Sequence, residues 1–133
     1  MELPKVVPST VASSTPSVPQ TLASKTSITV TEVEELVAKY ASPLGVSQKS
    51  MLATIGCETP KNPDGTYNPA GQSLHVKNGV RENSWGIVQI HLPSHPTVSK
   101  EQAQDPEFAV KWMAEAFSRG DAKFWSCWNM LQK

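Results

Sequence analysis

The chain has 133 residues, 38% of them hydrophobic, with 12 basic and 12 acidic side chains and a formal charge of zero. That length supports a single domain around one modest core. The charges are scattered singly and never gather into a Lys/Arg stripe, which argues against a nucleic-acid partner. No run of about 18 apolar residues is present to span a membrane.

The first stretch, MELPKVVPSTVASSTPSVPQTLASKTS, holds four prolines and many Ser and Thr without one aromatic residue. So little apolar surface cannot offset the entropy of ordering the chain, and residues 1–29 read as a disordered, semi-extended linker. Two uses fit that composition equally: a tether holding a domain away from a surface, and a loose end with no task. The first thirty residues also lack the apolar core of about 7–15 residues that a secretory leader needs. An exported form therefore implies a leader removed ahead of Met1.

From Ile28 the pattern turns helical. Thr31 and Glu34 have capping-box spacing, and Val33, Leu36, Val37 and Tyr40 follow at helical intervals until Ser42-Pro43-Leu44-Gly45 breaks the run. A second helix starts at Ser47 as N-cap, carries Met51, Leu52 and Ile55 on one side and ends around Glu58-Thr59-Pro60. Residues 59–84 form a polar, Gly- and Pro-rich span, and a loop so long is either functional or ordered by a small hairpin. The short apolar segment SWGIVQIHL, 84–92, fits a strand and a buried helix equally well. Ser99 with Gln102 marks a capped turn. Asp105-Pro106-Glu107 combines an N-cap, an N1 proline and a first-turn acid, and opens a helix that buries Phe108, Trp112, Met113, Ala116 and Phe117 before Gly120. The expected fold class is mainly α, with one long loop or hairpin beside Glu58.

Glu58 is the residue that asks for a reason. A carboxylate at a helix C-terminus opposes the helix dipole, and an isolated Glu there most often just points into water. Set between an apolar helix and a polar loop, its carboxyl is partly desolvated, which disfavours the charged form and raises the pKa toward neutrality. A carboxyl kept protonated can donate a proton to a leaving-group oxygen.

GCETPKNPDGTYNPAG, followed by ENSWGIVQIHLPSHP, resembles the soluble lytic transglycosylases, lysozyme-like enzymes that cleave peptidoglycan. In that family a helix ends in a catalytic Glu and runs into an Asn-Pro loop. A Ser-x-Gly-Leu-x-Gln-Ile segment, a helix opened by Asp-Pro and an aromatic-Asn pair then follow. Glu58 takes the place of the acid, and Asn68-Pro69 that of the loop. Ser84, Gly86, Gln89 and Ile90 match the second segment, Asp105-Pro106 the helix start, and Trp128-Asn129 the final pair. The likeness covers roughly residues 31–130 and lies in the order and spacing of motifs, none specific alone. Thr59 replaces the usual Ser, and Trp128 the usual Tyr, so hydrogen bonds made from those positions are in question. An indole can still stack on a sugar ring. Trp85, Trp112 and Trp125 are read as core packing.

The resemblance implies an α+β lysozyme-like domain over residues 30–133, monomeric and extracytoplasmic, in the cell wall, the periplasm or a phage particle. Its partner is the glycan strand of peptidoglycan, and no metal or organic cofactor takes part. Glu58 would protonate the β-1,4 oxygen between MurNAc and GlcNAc, the substrate's N-acetyl group would stabilise the cationic centre, and the segment from Ser84 to Ile90 with Trp128 and Asn129 would line the cleft. Cys57 and Cys127 fit neither CxxC spacing nor a zinc ligand set. Two readings stay open for them: buried free thiols, or a disulfide tying the catalytic helix to the C-terminal segment, which suits an exported enzyme better. Pro93 separates His91 from His95, so both histidines read as loop or surface residues.

The product depends on a second carboxylate, since an inverting hydrolase needs one to activate water across the ring. Glu82 is the nearest candidate and reads as a solvated loop residue with Arg81 as its ion partner. Asp64 reads as a turn residue in Pro63-Asp64-Gly65. With neither as base, Glu58 would recover its proton from the sugar's 6-hydroxyl and close a 1,6-anhydro ring. The alternatives are a hydrolytic muramidase on the same fold and a glycan-binding wall module without turnover.

Overall fold

The computed structural model describes residues 27–132. Most of the linker expected over residues 1–29 lies outside the described residues, but its last two positions belong to the fold. Ile28 is fully buried and exchanges two backbone hydrogen bonds of 2.9 Å with Tyr67. Thr29 caps α1 (Val30–Ala41): its hydroxyl accepts from the Glu32 N–H, and Glu32 returns a carboxylate to the Thr29 N–H. The capping box is therefore Thr29/Glu32 and not Thr31/Glu34. TVTEVEE offers both registers two residues apart, and the earlier one sets Ile28 before the cap and Val33 at the fourth helical position, both buried in one cluster.

Pro43 sits in a 3-10 turn, Ser42–Leu44, that closes at Gly45 with φ 68°. α2 (Gln48–Glu58) is capped by Ser47 and buries Met51, Thr54 and Ile55. It stops because Thr59 turns extended ahead of Pro60, which has no N–H to continue the ladder. α3 (Lys100–Ala103) carries the Ser99/Gln102 capping box, and α4 (Pro106–Ser118) starts at the Asp105 cap. The buried centre of α4 is Ala109, Val110, Met113, Ala114 and Ala116, while Phe108, Trp112 and Phe117 flank it half-buried. Small residues at the centre let α4 lie against α1, and the rings seal the edges. A 3-10 turn, Ala122–Phe124, leads into α5 (Ser126–Leu131), which packs on α2.

The polar span is ordered by a small hairpin. β1 (Val76–Lys77) pairs antiparallel with β2 (Val80–Arg81) across Asn78-Gly79, both at positive φ as a tight two-residue turn requires. The undecided apolar segment is a second hairpin, β3 (Ser84–Trp85) with β4 (Ile90–His91). Its alternation is hidden because the connecting turn is itself driven into the core: Ile87, Val88 and Ile90 are buried alike. About half of the described residues are helical, and with two small antiparallel sheets the domain is mixed α+β. No helix among them is long and apolar enough to cross a membrane.

Candidate active site

Glu58 is the last residue of α2 and stands half-buried in the wall of a cleft of about 520 Å3. Its Oε2 accepts the Cys127 backbone N–H at 3.0 Å, and the Ser126 side chain, which lines the same cleft, lies near enough to favour the ionised carboxyl. Burial, reinforced by the negative charge of Glu82, pushes the Glu58 pKa above the ordinary carboxylate value, while the Cys127 N–H and Ser126 pull against that rise. The net direction is upward, so burial wins. At such a position a carboxyl can both hold and release a proton.

Across the cleft the structure corrects the reading of Glu82. Arg81 does not pair with it; that guanidinium donates instead to the carbonyls of Ser73 at 2.7 Å and Gln72 at 3.2 Å. Glu82 is half-buried, lines the same cleft as Glu58 and accepts a hydrogen bond from the Ser84 hydroxyl. It also borders two adjoining depressions, one reaching His91, His95 and Phe124 and the other His75, Lys77 and Arg81. Glu82 thus lines all three. Asp64 is elsewhere, exposed, with Oδ1 taken by the Thr66 N–H and hydroxyl, which hold its pKa down.

The segment matched to Ser-x-Gly-x-x-Gln-Ile divides by role. Gln89 lines the cleft. Its φ of 56° is unusual for a side-chain-bearing residue, and its amide spends both donors on the carbonyls of Gly86 at 2.7 Å and Gly71 at 3.2 Å, leaving Oε1 as an oriented acceptor. Ser84 is fully buried, with its hydroxyl turned to Glu82. Gly86 is demanded by packing, since a Cβ there would meet the Ala103 carbonyl oxygen at 1.8 Å. Ile90 belongs to the core. These three support the cleft from behind rather than line it.

Trp128 and Asn129 are not brought to the cleft. Trp128 lines a separate groove with Leu44, Val46 and Phe117, and the Asn129 amide donates to the Lys123 and Trp125 carbonyls. The C-terminal contribution comes two residues earlier, from Ser126 and the Cys127 N–H. Cys57 and Cys127 form a disulfide across 70 residues of sequence. That bond is the signal from which Ser126 was reachable, because pairing the cysteines sets their neighbours, Glu58 and Ser126, side by side. Sequence reasoning passed over His75, which lines the cleft; the Thr59 hydroxyl, whose hydrogen bonding was in question, is buried at the cleft wall with no hydrogen-bond partner among the described residues. His91, exposed at the end of β4, bonds Ser94 through Nδ1 at 2.7 Å, whereas His95 is half-buried edge-on to Trp112 at 4.7 Å, and burial lowers its pKa.

No family model, curated protein or solved structure matches the chain.

Proposed function

We propose that this domain cleaves the glycan strands of peptidoglycan between MurNAc and GlcNAc, with Glu58 as its acid. The observation that carries the reading is a half-buried carboxyl of raised pKa at the wall of an open cleft that a second carboxylate, Glu82, also lines. Glu58 would protonate the glycosidic oxygen as the C1–O bond breaks, with the substrate's N-acetyl oxygen stabilising C1. The ionised Glu58 would then take the proton from the 6-hydroxyl while O6 bonds to C1, which gives a 1,6-anhydroMurNAc end. The motif order supports this lytic transglycosylase on a lysozyme-like fold, and an intramolecular disulfide fits an oxidising, extracytoplasmic location for a monomeric wall enzyme.

A second reading, hydrolysis, is favoured by one observation: Glu82 lines the cleft that Glu58 lines. A second carboxylate can take a proton from water attacking C1. Mass spectrometry of fragments released from purified sacculi separates the readings. Transglycosylation predicts anhydro ends from wild type and from Glu82→Gln, and no release by Glu58→Gln. Reducible MurNAc ends together with a large loss of rate in Glu82→Gln establish a muramidase. Binding without release by both wild type and Glu58→Gln would leave a wall-binding module.

A further inference from the structure

The disulfide touches the acid from both sides. Cys57 directly precedes Glu58 on α2, and Cys127 supplies the N–H that Glu58 accepts, 69 residues away. Ser126, beside Cys127, lines the cleft with Glu58 and favours its ionised form. Both donors ride on α5, where Cys127 is the only buried residue; Asn129, Met130 and Leu131 are exposed and Trp128 is half-buried. The core holds this segment most firmly just ahead of α5, at Trp125, which is 4% exposed and donates its indole N–H to the Val88 carbonyl at 2.7 Å; within α5 only Trp128, half-buried, packs against the core cluster. Beyond Trp125, the covalent fastening of the donors to α2 is the disulfide.

We propose that the Cys57–Cys127 disulfide is a positioning device for Glu58, holding the Cys127 N–H and Ser126 on the carboxyl, so that reduction frees the acid from its donors while the helical core stays folded. The inference rests on the reading of Glu58 as the acid of a glycan-cleaving enzyme. Cys57 is the exposed partner and the one a dithiol can reach. A reagent thiolate attacks its sulfur and Cys127 leaves as thiolate and takes a proton. The reagent's second thiol then displaces Cys57, so two electrons pass to the protein and the reagent ends as a cyclic disulfide. The charged groups around Glu58 stay where they were. Glu82 and His75 line the same cleft, Lys61 donates to the Gly56 and Thr59 carbonyls at the end of α2, and α5 carries no charged side chain. Reduction therefore alters the hydrogen bonding of Glu58 and not its charged neighbours.

The test follows the Glu58 carboxyl carbon and the Cys127 amide by NMR through a pH titration. Three samples are compared: oxidised protein, the same protein in dithiothreitol, and Cys57→Ser/Cys127→Ser. In the oxidised protein the Cys127 amide should titrate with the Glu58 midpoint. On reduction, and in the double variant, that linkage should vanish and the midpoint move further up, because donors that favour the ionised form are gone. The amides of α1, α2 and α4 should keep their dispersion. Turnover on sacculi should fall about tenfold, the cost of a misplaced acid, with the alkaline limb of the pH profile shifted up. An unchanged midpoint with the amide still tracking it overturns the proposal, as does global unfolding of both reduced forms, which would make the disulfide a staple of the fold alone. If the oxidised protein shows the linkage but releases no glycan fragments, the positioning stands and the enzymatic reading falls.

Discussion

Glu58 is governed by opposed influences of known sign, so its titration can be forecast. Burial and the charge of Glu82 favour the protonated form, and the Cys127 N–H and Ser126 favour the ionised one. A proton donor is lost as pH rises through its pKa, so with Glu58 as the acid of the proposed reaction, glycan cleavage should decline along an alkaline limb set by that raised value. Replacing Glu82 with Gln removes a negative charge that opposes ionisation, which should move the limb to lower pH. A pH profile of initial rates for the two proteins checks both statements, and a rate still climbing well above neutrality would mean that another group gives the proton. Glu58 was legible in the sequence because the features that place it are local, an apolar helix, an abrupt stop and a polar loop, whereas the Cys127 N–H, Ser126 and Glu82 that tune it are brought by the fold. Glu82 was not. Its surroundings are set by where Arg81 turns, and Arg81 bonds carbonyls eight and nine positions back along a fold that local polarity does not reveal.

At the level of elements, the hairpin from β3 to β4 depends on one position without a side chain. Gly86 sits at φ 84°, and its Cα faces the end of α3 so closely that a methyl group would collide with backbone rather than with a movable side chain. Gly86→Ala should cost about 3 kcal/mol or more, from the left-handed conformation and the collision together. Thermal unfolding would show this as a large fall in Tm or as loss of soluble protein, and a Tm within a few degrees of wild type would contradict it. Helix starts were readable where a single capping residue stood alone, as at Ser47, Ser99 and Asp105. They were misread where two equivalent Thr-x-x-Glu registers competed and a remote partner, Tyr67, decided between them by burying Ile28. The SWGIVQI segment was ambiguous for a related reason. Its turn is interior, so the apolar-polar contrast by which a hairpin is normally recognised is absent.

For the whole molecule, the disulfide closes a loop of 70 residues in a domain with a modest core. The chain-entropy model assigns such a closure about 4 kcal/mol, which in a domain this small is a Tm change on the order of 20 °C. Calorimetry with and without reductant measures it, and an unchanged Tm would show that the cross-link constrains a chain already held by its packing. The cysteine pair could be read from sequence only as a choice between a bond and two thiols, because spacing says nothing of three-dimensional approach at that separation. Trp128 was out of reach for the same reason: it adjoins the cleft-forming segment in sequence, yet the turn of α5 carries its ring into another groove.

The pairing of Ile28 with Tyr67 also decides how the domain bears a mechanical load. Two backbone hydrogen bonds couple the start of the fold to the segment that leaves the end of α2, and the Tyr67 hydroxyl lies close over Gly56 of that helix. A pull on the chain ahead of Ser27 is thus delivered to Tyr67 and to the backbone walling the cleft before it reaches the helices. Tension on an anchored domain would be felt at the cleft that Glu58 lines.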